Sequence, residues 1–304
     1  MNWDNPAFLA EARAWIGSQV DVTGEIEQPH VRPWSTVLRV PTSSGDVWFK
    51  AALPGLDHDA GVTAVLARLR PDIVLAPLAV SLERGWMLLP DGGERLREVL
   101  ERERNPGRWL EIMPRYAELQ IAAGACVDEL LDCGLPDYRL ARVPELVDWV
   151  AGRLETDAPA PGRVGELCDE LAALEIAETA QHDDLHDGNV FVRPGGGYAV
   201  FDWGDGCVSH PFCSLVVGLR GIAYRFELAE RDPDLERIRD AYLEPWATRA
   251  DRASLLRAAE LSAVVGRLCR TLSWLRALGD ESLDVGESAE SARYWFEEFR
   301  EALV

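Results

Sequence analysis

The side chains best suited to chemistry lie in the segment HDDLHDGN, residues 182–189, and at Asp202, thirteen residues beyond Asn189. Asp184 and Asp202 are carboxylates, and Asn189 has an amide oxygen five residues after Asp184. Mg²⁺ binds such oxygen ligands and takes the rest from water and phosphate groups. The pattern therefore predicts a metal-bound nucleoside triphosphate beside a hydroxyl nucleophile. Asn189 and Asp202 would hold the metal, while Asp184 would orient the hydroxyl or accept its proton.

Lys50 is the only lysine of the chain, beside thirty arginines. Because this sequence uses arginine wherever a positive charge is needed, position 50 is predicted to require an ammonium group, which is a more compact charge than a guanidinium. Lys50 follows Trp48 and Phe49 in a run of strand-forming residues. A solvated strand residue is the alternative, but we expect a functional side chain.

The net charge of the 304-residue chain is −21, from 52 acidic and 31 basic side chains. This balance argues against nucleic acid or an anionic membrane as a partner, because binding phosphate groups needs clustered Lys and Arg. It allows a small-molecule substrate that is cationic, although an acidic surface that keeps the protein soluble explains the same charge.

A cytoplasmic protein is expected, because no run approaches the about 18 apolar residues that span a bilayer. The N-terminal residues MNWDNP form neither a basic segment nor a signal-like apolar stretch. The six cysteines include no CxxC pair and are expected to be free thiols. No pattern indicates the oligomeric state.

The elements that must position Lys50 are predicted from alternating apolar residues and turn residues. A strand hairpin is predicted over 35–40 and 47–52, with its turn at 42–46. The other predicted elements of this region are a helix over 3–18, a helix over 58–69, and strands over 73–82 and 85–89.

The elements that must position Asp184 follow residue 90. Helical periodicity is predicted over 94–104, 107–132, 143–154, 163–179, 234–248, 251–277 and 287–302. A second hairpin over 189–193 and 198–202 would bring Asn189 and Asp202 side by side. We therefore predict two lobes, residues 1–89 and 90–304, with a hinge at residues 90–93 and a ligand cleft between them.

The motif His182-x-Asp184-Leu-His-x-Gly-Asn189, with Phe201-Asp202-Trp203 after it, resembles the aminoglycoside phosphotransferase family, relatives of the protein kinases. Residues 32–42 and 47–51 are similar to one large branch of that family. The resemblance implies a protein-kinase-like α+β fold, with a small β-rich N-terminal lobe and a large helical C-terminal lobe. It also implies transfer of the γ-phosphoryl group of ATP or GTP to a small-molecule hydroxyl, with Mg²⁺.

The resemblance assigns a role to further residues by position. Lys50 matches the lysine that holds the α- and β-phosphates, and Asp59 stands where the family has the glutamate partner of that lysine. A capping or dipole residue at the helix N-terminus is the alternative for Asp59. The shorter Asp59 is expected to weaken the pair or to draw its helix inward. Asp184 matches the catalytic aspartate, and His182 matches a histidine that braces the catalytic loop.

Further nucleotide contacts are predicted where the chain departs from the glycine-rich loop of protein kinases. Ser35 and Thr36 would offer hydroxyl and backbone donors to the phosphates. The Leu89 carbonyl and the Asp91 amide would contact adenine, since Pro90 has no N–H. Asp205, just after the metal loop, is the first candidate for a substrate contact.

One further departure leaves the acceptor open. Many family members read Gly-Asp-Pro-x-x-Asp after the metal aspartate, whereas this chain has His210 and Ser214 at the two acidic positions. Three hypotheses follow: an antibiotic kinase that acts on an aminoglycoside or a similar drug, a metabolic kinase that acts on a sugar or amino alcohol, and a nucleotide-binding pseudokinase that regulates a partner.

Overall fold

The computed structural model describes residues 2–279 and 286–303. Its first part is a five-stranded antiparallel sheet in the order β1-β2-β3-β5-β4. The strands are β1 (Glu27–Val31), β2 (Ser35–Thr42), β3 (Gly45–Ala52), β4 (Ala79–Ser81) and β5 (Trp86–Pro90). Two helices belong to this part, α1 (Pro6–Gln19) and α2 (Asp59–Leu69).

Aromatic side chains hold α1 against one face of this sheet. Trp15 of α1 meets Phe49 of β3 and Trp86 of β5 edge to face, with ring centroids 5.8 and 5.9 Å apart. Successive side chains of a strand point to opposite faces. Because Phe49 points toward α1, its neighbour Lys50 lies on the opposite face of β3, where it is only partly exposed.

The second part is mostly helical. Its helices are α3 (Leu96–Glu103), α4 (Trp109–Ala123), α5 (Val127–Asp132), α6 (Val143–Leu154), α7 (Pro161–Ala172), α8 (Leu215–Phe226), α9 (Pro233–Leu243), α10 (Arg252–Leu278) and α11 (Glu287–Ala302). Its short strands are β6 (Glu94–Arg95), β7 (Thr179–Gln181), β8 (Val190–Val192), β9 (Tyr198–Val200) and β10 (Cys207–Ser209). They form a three-stranded sheet, β6-β8-β9, and the pair β10-β7. Within residues 2–279 and 286–303, no helix has the length and apolar character needed to cross a bilayer.

The link between the two parts is fixed by a glycine. Gly93 has a φ of +95°, and a Cβ atom there would lie 2.4 Å from the carbonyl oxygen of Val192. Glycine is the residue that adopts this conformation and leaves this space free. The chain therefore enters its second part packed against the β8–β9 hairpin, which carries Asn189 and Asp202 at its ends. The boundary between residues 89 and 90 stays a prediction.

Four predicted elements are wrong in part. The helix predicted over 107–132 is divided into α4 and α5 at residues 124–126, and the helix predicted over 94–104 begins with β6. The strand predicted over 73–82 is reduced to β4, because Pro77 has no N–H for a ladder and Ile73 instead accepts a hydrogen bond from the Val200 amide, 2.7 Å away. The helix predicted over 163–179 ends at Ala172, and Glu175 has a left-handed φ of 55° before β7 begins. Strands β1, β6, β7 and β10 are not predicted from the sequence.

Candidate active site

Lys50 lies between two carboxylates. Its Nζ atom is 2.6 Å from Oδ2 of Asp59 and 2.5 Å from Oδ1 of Asp202. Burial alone would lower the pKa of Lys50, but the negative charges of Asp202 and Asp59 raise that pKa above its usual value. The ammonium group is therefore fixed and charged on the face of β3 that is turned toward Asp202.

Asp59 connects three elements through one carboxylate. It is the first residue of α2 and is 2% exposed. Besides Lys50 on β3, its carboxylate accepts hydrogen bonds from the Thr63 hydroxyl at 3.2 Å and from the Trp203 amide at 2.9 Å. The shorter aspartate thus makes a direct ion pair with Lys50, and it also binds the loop that follows Asp202.

Asp184 lies in the loop between β7 and β8, with its side chain 17% exposed. Its Oδ2 atom is 3.1 Å from the amide nitrogen of Asn189 and 3.4 Å from Nε2 of His186. The Gly188 amide donates to Nδ1 of His186 at 2.8 Å, so Nδ1 is an acceptor and Nε2 is the ring nitrogen that donates toward Asp184. Its other oxygen, Oδ1, is 2.9 Å from Nη2 of Arg270.

These partners determine the ionisation of Asp184. Burial raises the pKa of a carboxyl group, but the charge of Arg270 and the hydrogen bond from His186 outweigh it and bring the pKa of Asp184 to about 2. Asp184 is therefore a carboxylate at neutral pH and a weak proton acceptor.

Asn189 and Asp202 supply oxygen atoms of the kind that Mg²⁺ binds. The amide nitrogen of Asn189 donates to the Asp184 carbonyl at 2.9 Å and to its carboxylate, so the Asn189 carbonyl oxygen is the atom left for a metal. The Asp202 side chain is 43% exposed, with one oxygen on Lys50. Among residues 2–279 and 286–303, no three His, Cys, Asp or Glu side chains group into a metal site. One carboxylate and one amide fit a metal that takes its other ligands from water and phosphates.

His182 joins the loop that carries Asp184 to the segment that carries Asp202. Its Nε2 atom is 2.9 Å from the carbonyl oxygen of Phe201, the residue before Asp202. The Asp184 amide donates to Nδ1 of the same ring at 3.3 Å. The ring is completely buried and tilted against Trp203, with centroids 4.7 Å apart. This histidine therefore fixes the spacing between Asp184 and Asp202.

A comparison with protein families identifies this arrangement. The sequence model of the phosphotransferase enzyme family matches residues 31–255. This chain belongs to that family. The resemblance to the aminoglycoside phosphotransferases is thereby confirmed. The chain is a phosphotransferase that acts on small-molecule hydroxyl groups, in a family that takes phosphate from ATP or GTP. No curated protein matches the chain.

Solved structures have the same fold as this phosphotransferase. The ethanolamine kinase of Plasmodium vivax gives a TM-score of 0.67 at 11% identity, over 99% of this chain and 91% of its own. A choline/ethanolamine kinase family protein from Mesorhizobium loti gives 0.64 at 17%, over 97% and 94%. Aminoglycoside 2'-phosphotransferase-IIIa, solved with GDP, gives 0.62 at 13%, over 98% and 99%. The predicted kinase-like α+β fold, with a small sheet lobe and a large helical lobe, is confirmed.

The phosphotransferase uses uncharged residues at the two positions where many relatives have acids. The Ser214 hydroxyl lies 2.7 Å from the Tyr116 hydroxyl, 3.2 Å from Oε1 of Gln181 and 3.3 Å from the His182 amide. It therefore supports the catalytic loop from behind. His210 is completely buried, with Nδ1 2.7 Å from the Ser262 hydroxyl. Burial lowers the pKa of His210 to about 3, so the residue is a neutral link to α10.

The four further residues predicted to contact the nucleotide have different surroundings in the structure. The Thr36 hydroxyl donates to the His30 carbonyl at 3.1 Å, which directs it toward β1. Ser35 is buried at the start of β2. Leu89 is paired with Trp48 in the sheet. Asp91 is exposed after β5, where its carboxylate caps the Gly93 amide at 2.9 Å. Their roles in nucleotide binding stay predictions.

Arg270 is the site residue that the sequence does not indicate. It lies on α10, and one of thirty arginines carries no signal by itself. Asp205, the predicted substrate contact, accepts a hydrogen bond from the Ser273 hydroxyl and lies 3.7 Å from Arg270. Helix α10 therefore forms one wall beside Asp184, and the contact of Asp205 with substrate stays a prediction.

Proposed function

We propose that this phosphotransferase transfers the γ-phosphoryl group of ATP or GTP to a hydroxyl of a small molecule between its two lobes. Two contacts, Lys50–Asp202 and Asn189–Asp184, carry the proposal, and the Phe201 amide links them by donating to the backbone carbonyl of Asn189 at 3.1 Å. They bring together a cation suited to phosphates, two oxygen ligands suited to a metal and a carboxylate suited to orienting a hydroxyl. The intracellular abundance of nucleoside triphosphates favours a cytoplasmic location.

Asn189 and Asp202 are proposed to hold Mg²⁺ through the amide oxygen and a carboxylate oxygen. When bound, Mg²⁺ neutralises charge on the phosphates. Lys50 is proposed to bind the α- and β-phosphates, and Asp59 keeps Lys50 in place through its 2.6 Å contact.

The step is a direct displacement. The acceptor oxygen forms a bond to the γ-phosphorus, the bond from that phosphorus to the β–γ bridging oxygen breaks, and the nucleoside diphosphate leaves with the electron pair. The acceptor loses its proton to solvent or to the transferred phosphoryl group. With a pKa of about 2, Asp184 is better suited to orienting the hydroxyl than to removing its proton at neutral pH.

Two acceptor classes are supported. The net charge of −21 allows a cationic acceptor such as an aminoglycoside, and one structural neighbour was solved with streptomycin and ATP, at a TM-score of 0.59. The second class is a hydroxylated metabolite, favoured by the loss of both acids at His210 and Ser214.

A mass-spectrometric acceptor screen with Mg-ATP and Mg-GTP tests this function. The panel contains aminoglycosides, other hydroxylated antibiotics and a metabolite extract. Asp184→Asn is expected to lower product formation by about 10²-fold, because a misplaced acceptor hydroxyl costs about that much, with nucleotide binding retained. The matched control is Asp187→Asn in the same loop, because Asp187 faces Arg97 and Arg225 at 2.9 and 2.7 Å.

Each outcome has a defined meaning. A phosphorylated product that requires Asp184 but not Asp187 supports the proposal and names the acceptor. Product formation that survives Asp184→Asn contradicts the assigned role of Asp184. Nucleotide binding without any acceptor-dependent product would favour a pseudokinase. A parent protein that binds no nucleotide would refute the proposed nucleotide site.

A further inference from the structure

The side of Asp184 turned away from the metal ligands is covered by a cation of the chain itself. Oδ2 of Asp184 contacts Asn189, whereas Oδ1 contacts Nη2 of Arg270 at 2.9 Å. In phosphoryl transfer the attacking and leaving oxygens lie on opposite sides of the phosphorus. With the proposed metal ligands Asn189 and Asp202 on the side of the leaving diphosphate, the acceptor hydroxyl would meet Asp184 next to Arg270.

Arg270 is held firmly in this position. Its guanidinium lies 5.1 Å from the ring centroid of Trp274, and Nη1 donates to the Asp183 carbonyl at 3.3 Å. The side chain is 10% exposed. A guanidinium group that is stacked on an aromatic ring and hydrogen-bonded has little conformational freedom left. Arg270 is therefore a fixed part of the wall of the acceptor site.

Two carboxylates and two guanidinium groups lie along this wall. Oδ2 of Asp205 lies 3.7 Å from Arg270, and the Ser273 hydroxyl donates to its other oxygen. Nη2 of Arg276 donates to the Asp205 carbonyl at 2.8 Å. Asp184 and Asp205 thus share their surroundings with Arg270 and Arg276, which leaves this wall without the excess negative charge that would attract an ammonium group.

The overall charge of −21 does not alter this local balance. Exposed charges further away than about 10 Å are largely screened at 0.1 M salt. A guanidinium within a few ångströms, by contrast, repels a second cation directly, and such repulsion is a common source of specificity. We propose, on the basis of the proposed phosphotransferase function, that the acceptor is a polyol without charged groups next to its reacting hydroxyl. Arg270 would disfavour acceptors that carry an ammonium group at that position.

A charge-fractionated metabolite extract tests the acceptor class. The extract is separated by ion exchange at pH 7 into cationic, neutral and anionic fractions, and each is incubated with Mg-ATP and with the parent or Asp184→Asn. We expect the product that requires Asp184 in the neutral fraction. Such a product in the cationic or anionic fraction overturns this inference and leaves the proposed function intact. No such product in any fraction contradicts the proposed function itself.

The proposed effect of Arg270 on acceptor charge is tested by inhibiting the phosphorylation reaction found above with two matched probes. The probes are 2-deoxystreptamine, a cyclic polyol with two ammonium groups, and myo-inositol, its uncharged counterpart. We expect Arg270→Gln to strengthen inhibition by 2-deoxystreptamine about tenfold or more, because a close repulsive charge is removed, and to leave inhibition by myo-inositol nearly unchanged. Arg270→Lys retains a cation and is expected to behave as the parent.

These variants separate charge from folding. If Arg270→Gln unfolds, the comparison of Arg270→Lys with the parent still applies, since a loss of discrimination in that variant contradicts a role based on charge. An equal change for both probes, or no change for either, overturns the assignment of Arg270.

Discussion

Asp59→Asn is expected to distinguish the two carboxylate partners of Lys50: Asp59, which stabilises the fold, and Asp202, the proposed metal ligand. The substitution keeps the size of the side chain but removes its charge at a position that is 2% exposed. The carboxylate of Asp59 accepts from Lys50 at 2.6 Å and from the Trp203 amide at 2.9 Å. An amide at this position has only one acceptor oxygen and directs its NH₂ group at one of these donors.

The magnitude follows from burial. Removing one partner of a buried ion pair costs about 3–5 kcal/mol, and leaving a buried amide hydrogen without an acceptor costs about 1–3 kcal/mol. Lys50 keeps its 2.5 Å contact with Asp202, which reduces the first of these costs. We therefore expect Asp59→Asn to lower the free energy of unfolding by about 3 kcal/mol, a large share of the about 5–15 kcal/mol of a typical domain.

Asp202→Asn is the matched control, because it removes the other partner of the same lysine. The Asp202 side chain is 43% exposed, so its ion pair is expected to contribute about 1 kcal/mol or less to stability. Urea denaturation followed by tryptophan fluorescence would measure both variants, and product formation would measure activity. Asp202→Asn is expected to keep the stability and lose the activity.

Two results would refute this reasoning. One is an unfolding free energy of Asp59→Asn within about 0.5 kcal/mol of the parent, the range of ordinary surface substitutions. The other is a stability loss in Asp202→Asn as large as that in Asp59→Asn. Asp59→Glu, which restores the residue type of the family, is expected to cost about 1–3 kcal/mol through overpacking.

Three further predictions concern stability. Ser214→Ala should lower the unfolding free energy by about 1–2 kcal/mol, because the Gln181 carbonyl and the His182 amide lose a buried partner; a change below 0.5 kcal/mol in urea titration would contradict it. Burial lowers the pKa of His210 from 6.5 to about 3, so in this window the unfolded chain binds a proton that the folded chain does not. His210 should then contribute a loss of up to about 1.4 kcal/mol per pH unit as pH falls below 6.5, added to that of His58, whose pKa burial also lowers to about 3. His210→Asn should reduce the slope by the His210 share in denaturation at pH 6.5 and 5. Gly93→Ala should lower the melting temperature, because its Cβ would lie 2.4 Å from the Val192 carbonyl; an unchanged melting curve would show that the link can move.

The core of the site was predictable because its signals are local. Asp184 and Asn189 lie five residues apart in one loop, and a hairpin with a glycine-rich turn brings Asp202 beside them. The placement of Lys50 opposite the apolar face of β3 follows from strand alternation. These relations depend on spacing within short segments, which a single sequence displays.

The rest of the site depends on packing between distant segments. Arg270 reaches Asp184 from α10. Nothing in the sequence around Arg270 sets it apart from the other arginines of the chain. The direction of the Thr36 hydroxyl is set by β1, a strand whose charged and polar residues give no strand signal. The early end of α7 depends on a left-handed Glu175, a conformation that a glutamate does not indicate in advance.

Because the chain has a single lysine, amine-directed reagents can label this enzyme selectively. Apart from the α-amino group, Lys50 is the only primary amine that the amino-acid sequence supplies. Its pKa is raised by Asp202 and Asp59, and only the neutral amine is nucleophilic, so an activated ester should react first at the N-terminus. Attachment to a sensor surface or a fluorophore through amines would therefore give one uniform orientation. Reagents that carry a nucleotide and deliver an acyl group would instead report occupancy of the cleft at one residue.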